Sequence, residues 1–197
     1  MIGQISSTII TALAMILIAR FLGATNYGQF TIAMIPINIA GIFLDLGVNS
    51  ALIKYIAQYR SEGRTNEAVI FLKAGLTIDV LVGFFLTILV FLLSGFLATQ
   101  VFHQPEIRVL IQVSSLNLVA MSLLNTAKSI FIGYERMKIV SLLVIIQSII
   151  KSIFAPLLVF FGFGAIGAAA GHTTSILIAG LVGIGIILFT YVKQKKE

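Results

Sequence analysis

The chain has 197 residues, 59% hydrophobic and only 10% charged, where a soluble domain carries about 25% charge. Its mean hydropathy is +1.10, and so little polar surface cannot clothe a water-soluble fold. Soluble enzymes, nucleic-acid-binding domains and disordered chains are thereby excluded, leaving an integral membrane protein. Barrel strands alternate apolar and polar residues over about ten positions. Long apolar runs such as Ile78–Leu97 and Ile139–Phe161 instead predict an all-α membrane bundle.

A spanning helix needs about 20 mostly apolar residues. Six segments of one transmembrane domain, 1–197, meet that need. The first covers 4–22 and ends in a turn at Gly23-Ala24-Thr25-Asn26. It resembles a signal-peptide core but lacks a basic start, so it reads as a true span. Its abrupt start suggests residues upstream. The second covers 27–49 and holds Pro36, and the basic, amphipathic stretch 51–60 follows. The third covers 68–98. The fourth, 106–132, opens at Pro105, a residue suited to a first helical turn. The fifth, 138–161, holds Pro156, and the sixth is 164–192. Both prolines remove a backbone hydrogen bond and are expected to kink their spans.

Basic residues cluster on alternate connections: Lys54, Arg60 and Arg64 between spans two and three, Arg136 and Lys138 between four and five, and Lys193, Lys195 and Lys196 in the tail. Basic loops stay in the cytoplasm. The expected orientation in the cytoplasmic membrane therefore has both termini on the cytoplasmic side, which an even number of spans allows.

Ionisable groups deep in a bilayer are costly and face a cavity or another helix. Asp79 lies ~16 Å and Lys151 ~20 Å into their spans at 1.5 Å per residue. They can pair, or both can line a water-filled cavity. Lys73, Lys128 and Asp45 lie nearer the cytoplasmic interface, where Lys can snorkel; Arg20 lies near the outer end of span one. Thr31, Asn38, Asp45 and Asn49 recur on one face of span two. Ser114, Asn117, Asn125 and Lys128 share a face of span four, Gln147 and Lys151 lie one turn apart in span five, and Gln4, Thr8 and Thr11 share a face of span one. These seams either line a cavity or bond across helix contacts. Gly167 and Gly171 form a GxxxG pair suited to close packing, with His172 beside them. The chain has no Cys, and no catalytic, metal-ligating or phosphate-loop spacing occurs.

The run Ala19-Arg20-Phe21-Leu22-Gly23-Ala24-Thr25-Asn26-Tyr27-Gly28, then Asp45-Leu46-Gly47 and Gly133-Tyr134-Glu135-Arg136, resembles the polysaccharide-biosynthesis flippases. These are O-antigen-type members of the multidrug/oligosaccharidyl-lipid/polysaccharide exporter superfamily. The resemblance implies a six-transmembrane-helix bundle forming the first lobe of a two-lobe transporter, completed by a C-terminal lobe or a second copy. It implies flipping of a lipid-linked oligosaccharide by alternating access, without an enzymatic step, nucleic acid or cofactor beyond possible Na⁺ or H⁺ coupling. Depth and charge then select Arg20, Lys151, Lys73 and Lys128 for a diphosphate headgroup, and Asn38, Asn117, Asn125 and Gln147 as polar cavity lining. Asp79 and Asp45 are the ion-coupling candidates. The alternatives are a related exporter of another lipid or small molecule, and a non-transporting scaffold in which Lys151 pairs with Asp79. A lipid-linked glycosyltransferase is disfavoured by the short outer loops.

Overall fold

The computed structural model describes residues 2–45 and 47–192; the side chains of 2–11, 13, 14, 45, 191 and 192 lie outside the description. The described backbone is helical, in the order α1 (Ile2–Ile42), α2 (Val48–Ser61), α3 (Thr65–Phe96), α4 (Arg108–Gly133), α5 (Met137–Leu158) and α6 (Gly164–Ile187). Wider π turns extend α3, α5 and α6 at Leu97–Val101, Val159–Phe163 and Leu188–Val192. Three helical stretches are long and apolar enough to cross a membrane: Thr65–Val101, Pro105–Gly133 and the 54-residue Met137–Thr190. Large apolar side chains cover the outside, with Leu92 and Phe160 each 74% exposed and Phe189 72%. An aqueous surface of that kind is untenable, so the chain is a membrane protein.

The expected turn over 23–26 contracts to one residue. Gly23 alone leaves helical geometry inside α1, at φ 71° and ψ 170°, a region essentially reserved for glycine. Ala24 to Asn26 remain helical, and Asn26 Nδ2 donates to the Leu22 carbonyl at 3.1 Å, which helps satisfy a backbone acceptor at the break. The second expected span also ends early. It closes in a 3₁₀ turn at Phe43–Asp45, and the amphipathic helix α2 begins at Val48 rather than at 51. The long Met137–Thr190 stretch breaks at Gly162, with φ 90°. Departures from helical geometry therefore fall at Gly23 and Gly162. Pro36 and Pro156 both stay inside continuous helix.

Contacts between connections fix which ends lie together. Arg60 Nη1 donates to the Tyr134 carbonyl at 2.9 Å and to Glu135 Oε2 at 3.0 Å, joining the α2–α3 and α4–α5 connections. At the opposite end Gln29 Nε2 donates to Glu106 Oε2 at 3.4 Å. There the Gly23 break and the segment before α4 share an open cavity of about 400 Å³. Phe21 and Phe160 meet edge to face near the same end, ring centres 6.4 Å apart.

The core forms two clusters. One gathers Ile18, Leu22, Ile37, Ile111 and Leu118 near the Gly23 end; the other gathers Leu52, Ile56, Ile130, Phe131 and Leu143 near the Arg60 end. In lipid, burying such residues gains little over leaving them in acyl chains, so close packing holds the helices together. Small residues supply it. A Cβ on Gly171 would lie 2.5 Å from Ala155 Cα, and one on Gly83 would lie 3.3 Å from Val119 Cα. The α5–α6 contact at Gly171 bears out the packing expected of the GxxxG pair.

Candidate functional site

Helix α4 lies at the centre, packed against α3, α6, α2 and α1, and its polar residues divide by depth. Asn125, Lys128 and Ser129 face Asn49, Ser50 and Ile53 across an open groove of about 340 Å³. Ser129 Oγ donates to Asn49 Oδ1 at 3.0 Å, which ties α2 to α4 at the groove floor. Lys128 is half-buried there, and none of the ion pairs among the described residues includes it. On α1, Thr31 and Asn38 are exposed, two helical turns apart. A Cβ on Gly41 would come within 4.0 Å of Met121 Cε, so the Asn38 end of α1 meets α4 about one turn from Asn125.

Asp79 follows a different solution. It is 2% exposed, and Thr126 Oγ1 of α4 lies 2.5 Å from its Oδ2. The same hydroxyl lies 2.8 Å from the Ser122 carbonyl. A hydroxyl has a single proton, so Thr126 shares it between the Asp79 carboxyl and the Ser122 carbonyl. The Asp79–Lys151 ion pair considered from the sequence is not formed: among the described residues the ion pairs are Arg60–Glu135, Arg64–Glu62 and Arg64–Glu67. Depth placed both groups near mid-span, but Asp79 faces α4 from α3 while Lys151 sits on the helix that packs against α1 and α6.

The third arrangement is enclosed. Ser114 and Asn117 on α4 are fully buried, and Thr173 on α6 is 8% exposed. Ser114 Oγ, both amide atoms of Asn117, His172 Nδ1 and Thr173 Oγ1 are buried without a hydrogen-bond partner. Each such orphan costs about 1–3 kcal/mol, and more where lipid replaces water. The helix register brings them together. A Cβ on Gly180 would lie 3.1 Å from Leu123 Cβ, and one on Gly183 would lie 2.7 Å from Ala127 Cβ, so α4 and α6 run parallel. Two turns back from Gly180 and Leu124 stand Thr173 and Asn117. Lys151 lies close enough for its charge to act on His172, one turn from Ala155, whose backbone contacts Gly171.

Of the remaining residues singled out in the sequence, Arg20 and Lys73 are exposed and Gln147 is half-buried one turn from Lys151. The side chains of Asp45, Gln4, Thr8 and Thr11, and all of Lys193, Lys195 and Lys196, lie outside the described residues. The structure thus joins Asn125 with Lys128, and Lys151 with His172, but does not gather all four cations in one place. Sequence reasoning missed Thr126, Ser129 and Thr173. A hydroxyl one residue from a polar seam is a weak signal, and its partner is visible only once helices are in register.

An all-helical, lipid-facing bundle with polar groups set inside it defines a class: helical membrane proteins. Three solved structures share that fold. A MATE protein in the straight conformation matches at 17% identity, over 100% of this chain and 46% of its own, with a TM-score of 0.78. An outward-facing multidrug-resistance MATE family transporter of the MOP superfamily matches at 15%, over 99% and 46%, at 0.83. A MOP superfamily transporter from Pyrococcus furiosus, described as having a binding pocket of reverse polarity, matches at 17%, over 96% and 43%, at 0.79. The chain spans about half the length of these structures. No curated protein sequence matches it. The family model for polysaccharide biosynthesis proteins matches residues 1–197, and the chain belongs to that family.

Proposed function

We propose that this chain is one six-span lobe of a flippase that carries a lipid-linked oligosaccharide across the cytoplasmic membrane by alternating access. The observation that carries the reading is the open groove at Lys128, on a chain whose family is that of polysaccharide biosynthesis. A lipid diphosphate headgroup needs a cation and amide or hydroxyl donors in a wet cleft, and Lys128, Asn125 and Ser50 offer them. Asn38 and Gln147 extend the polar lining, while Arg20, Lys73 and Lys151 add positive charge along the route. Asp79 and Asp45 are the ion-coupling groups of this reading. Breaks at Gly23 and Gly162 divide the two longest helical stretches into two spans each, which supports six. The basic α2–α3 and α4–α5 connections lie together, which supports a cytoplasmic face there and cytoplasmic termini. A second lobe, or a second copy, completes the cavity.

The test is surface-polysaccharide export in cells lacking their own flippase, with the protein and its partner lobe supplied. Lys128→Ala lowers export about tenfold to hundredfold at unchanged membrane abundance, the scale of one charge-assisted hydrogen bond. Full export by that variant removes Lys128 from the headgroup site. A related exporter of cationic small molecules is the second reading, and the excess of Lys over Asp within the spans disfavours it. A scaffold role rested on a Lys151–Asp79 pair and has lost that support.

A further inference from the structure

Helical Ser and Thr hydroxyls ordinarily donate back to a carbonyl three or four residues earlier. Thr87, Ser94, Ser115, Ser122, Ser148, Ser152 and Ser175 all do so here, at 2.6–2.9 Å. Ser114 and Thr173 do not, although both are buried. Their hydroxyls are turned off their own helices at the level where Asn117, fully buried, also has no partner. Lys151, one turn from Ala155 on the α5–α6 contact at Gly171, belongs to none of the ion pairs among the described residues.

We propose that Ser114, Asn117 and Thr173, together with the Lys151 ammonium, bind a small monovalent inorganic anion of about chloride size inside the bundle, separate from the open groove at Lys128. The donors are two hydroxyls, an amide N–H₂ and an ammonium. No carboxylate stands among them, and the Lys151 ammonium repels a cation, so the charge to be bound is negative. Water alone would satisfy the hydroxyls and the amide but leave the Lys151 charge uncompensated in a low-dielectric interior. Asp79 is unavailable as a counter-charge because it is engaged with Thr126 on the far side of α4. The inference does not rest on the transport reading.

The purified protein is melted in sodium chloride and in sodium gluconate at equal ionic strength. Chloride raises Tm with the logarithm of its concentration above Kd, by about 4 °C at tenfold excess. Thr173→Ser keeps the rise; Lys151→Met and Asn117→Leu abolish it. Bromide soaked into crystals of the unaltered protein gives an anomalous peak among Ser114, Asn117 and Thr173, a measurement that stands even if a variant fails to fold. Identical melting in the two salts overturns the proposal. So does ordered water at that point without bromide signal, or bromide found only beside Lys128.

Discussion

Substituting glycines along α6 tests whether close packing, rather than helix propensity, sets the strength of this bundle. Alanine in place of a helical glycine normally stabilises by about 0.5–1 kcal/mol. At Gly171 the new Cβ would meet Ala155 Cα at 2.5 Å and Ala155 N at 2.7 Å. These are backbone atoms that no rotamer change can move. Restoring ordinary contact requires α5 and α6 to part by about 1 Å, and overpacking of that kind costs about 1–3 kcal/mol. The net expectation for Gly171→Ala is a loss of about 1–2 kcal/mol, or roughly 3–6 °C in Tm. Gly185 lies on the same helix with nothing within 4 Å of its would-be Cβ, so Gly185→Ala should melt at or above the parent. Gly75 falls between them: its Cβ would lie 2.5 Å from Leu52 Cδ2, the far end of a side chain that can rotate. Thermal melts of the three variants in one detergent read the order Gly185→Ala, Gly75→Ala, Gly171→Ala from most to least stable. If Gly171→Ala melts with Gly185→Ala, the α5–α6 contact is not the close approach described and the argument fails.

Removing the hydroxyl beside the buried carboxyl tests the α3–α4 contact. Thr126→Val should lower stability by about 1–3 kcal/mol because it strips Asp79 Oδ2 of its bond, and Thr126→Ser should restore most of it; equal melting of the Val and Ser variants would refute the role. At the exposed end of α2, Gln58 Nε2 and Arg64 Nη1 donate to Glu62 at 2.9 and 3.1 Å, and these bonds, Gln58's first, hold its pKa below the ordinary value. A carboxyl lowered on folding adds stability above its unfolded pKa and loses it as pH falls through the folded one. Gln58→Ala should therefore raise the Glu62 pKa, followed by carboxyl NMR, and an unmoved titration would show that Gln58 does not set it.

The helical class and the two kinds of connection were legible because composition and charge placement report on the solvent around each segment. What periodicity supplies is an azimuth on a helix, not what covers it. Ser114, Asn117, Asn125 and Lys128 do recur along one side of α4. Yet the first two are fully buried and the last two half-exposed, because α6 covers the upper turns at Thr173 while the lower turns open towards α2. The same limit hid Thr126: Asp79 could be placed at depth from residue counting, but its partner depends on the sliding register of α3 against α4. The prolines are not where the helices break. A proline removes one bond and can stay in a continuous helix, as Pro36 and Pro156 do. Gly23 and Gly162 adopt positive-φ backbone angles that other residues seldom take, and there the helices break.

The handling of buried charge links these features. A bundle needing only stability would set Asp79 against Lys151, since both lie near mid-span, and neutralise two costly groups at once. Here Asp79 is given a hydroxyl between α3 and α4, Lys128 stands over an open groove, and Lys151 is kept beside enclosed donors on the other side of α4. Neither lysine stands in an ion pair among the described residues. Separated, individually served charges leave electrostatic work for a ligand, an ion or a proton to do. A bundle built this way is held by its small-residue contacts, at Gly171, Gly180 and Gly183, while it carries polar groups that add little to its folding.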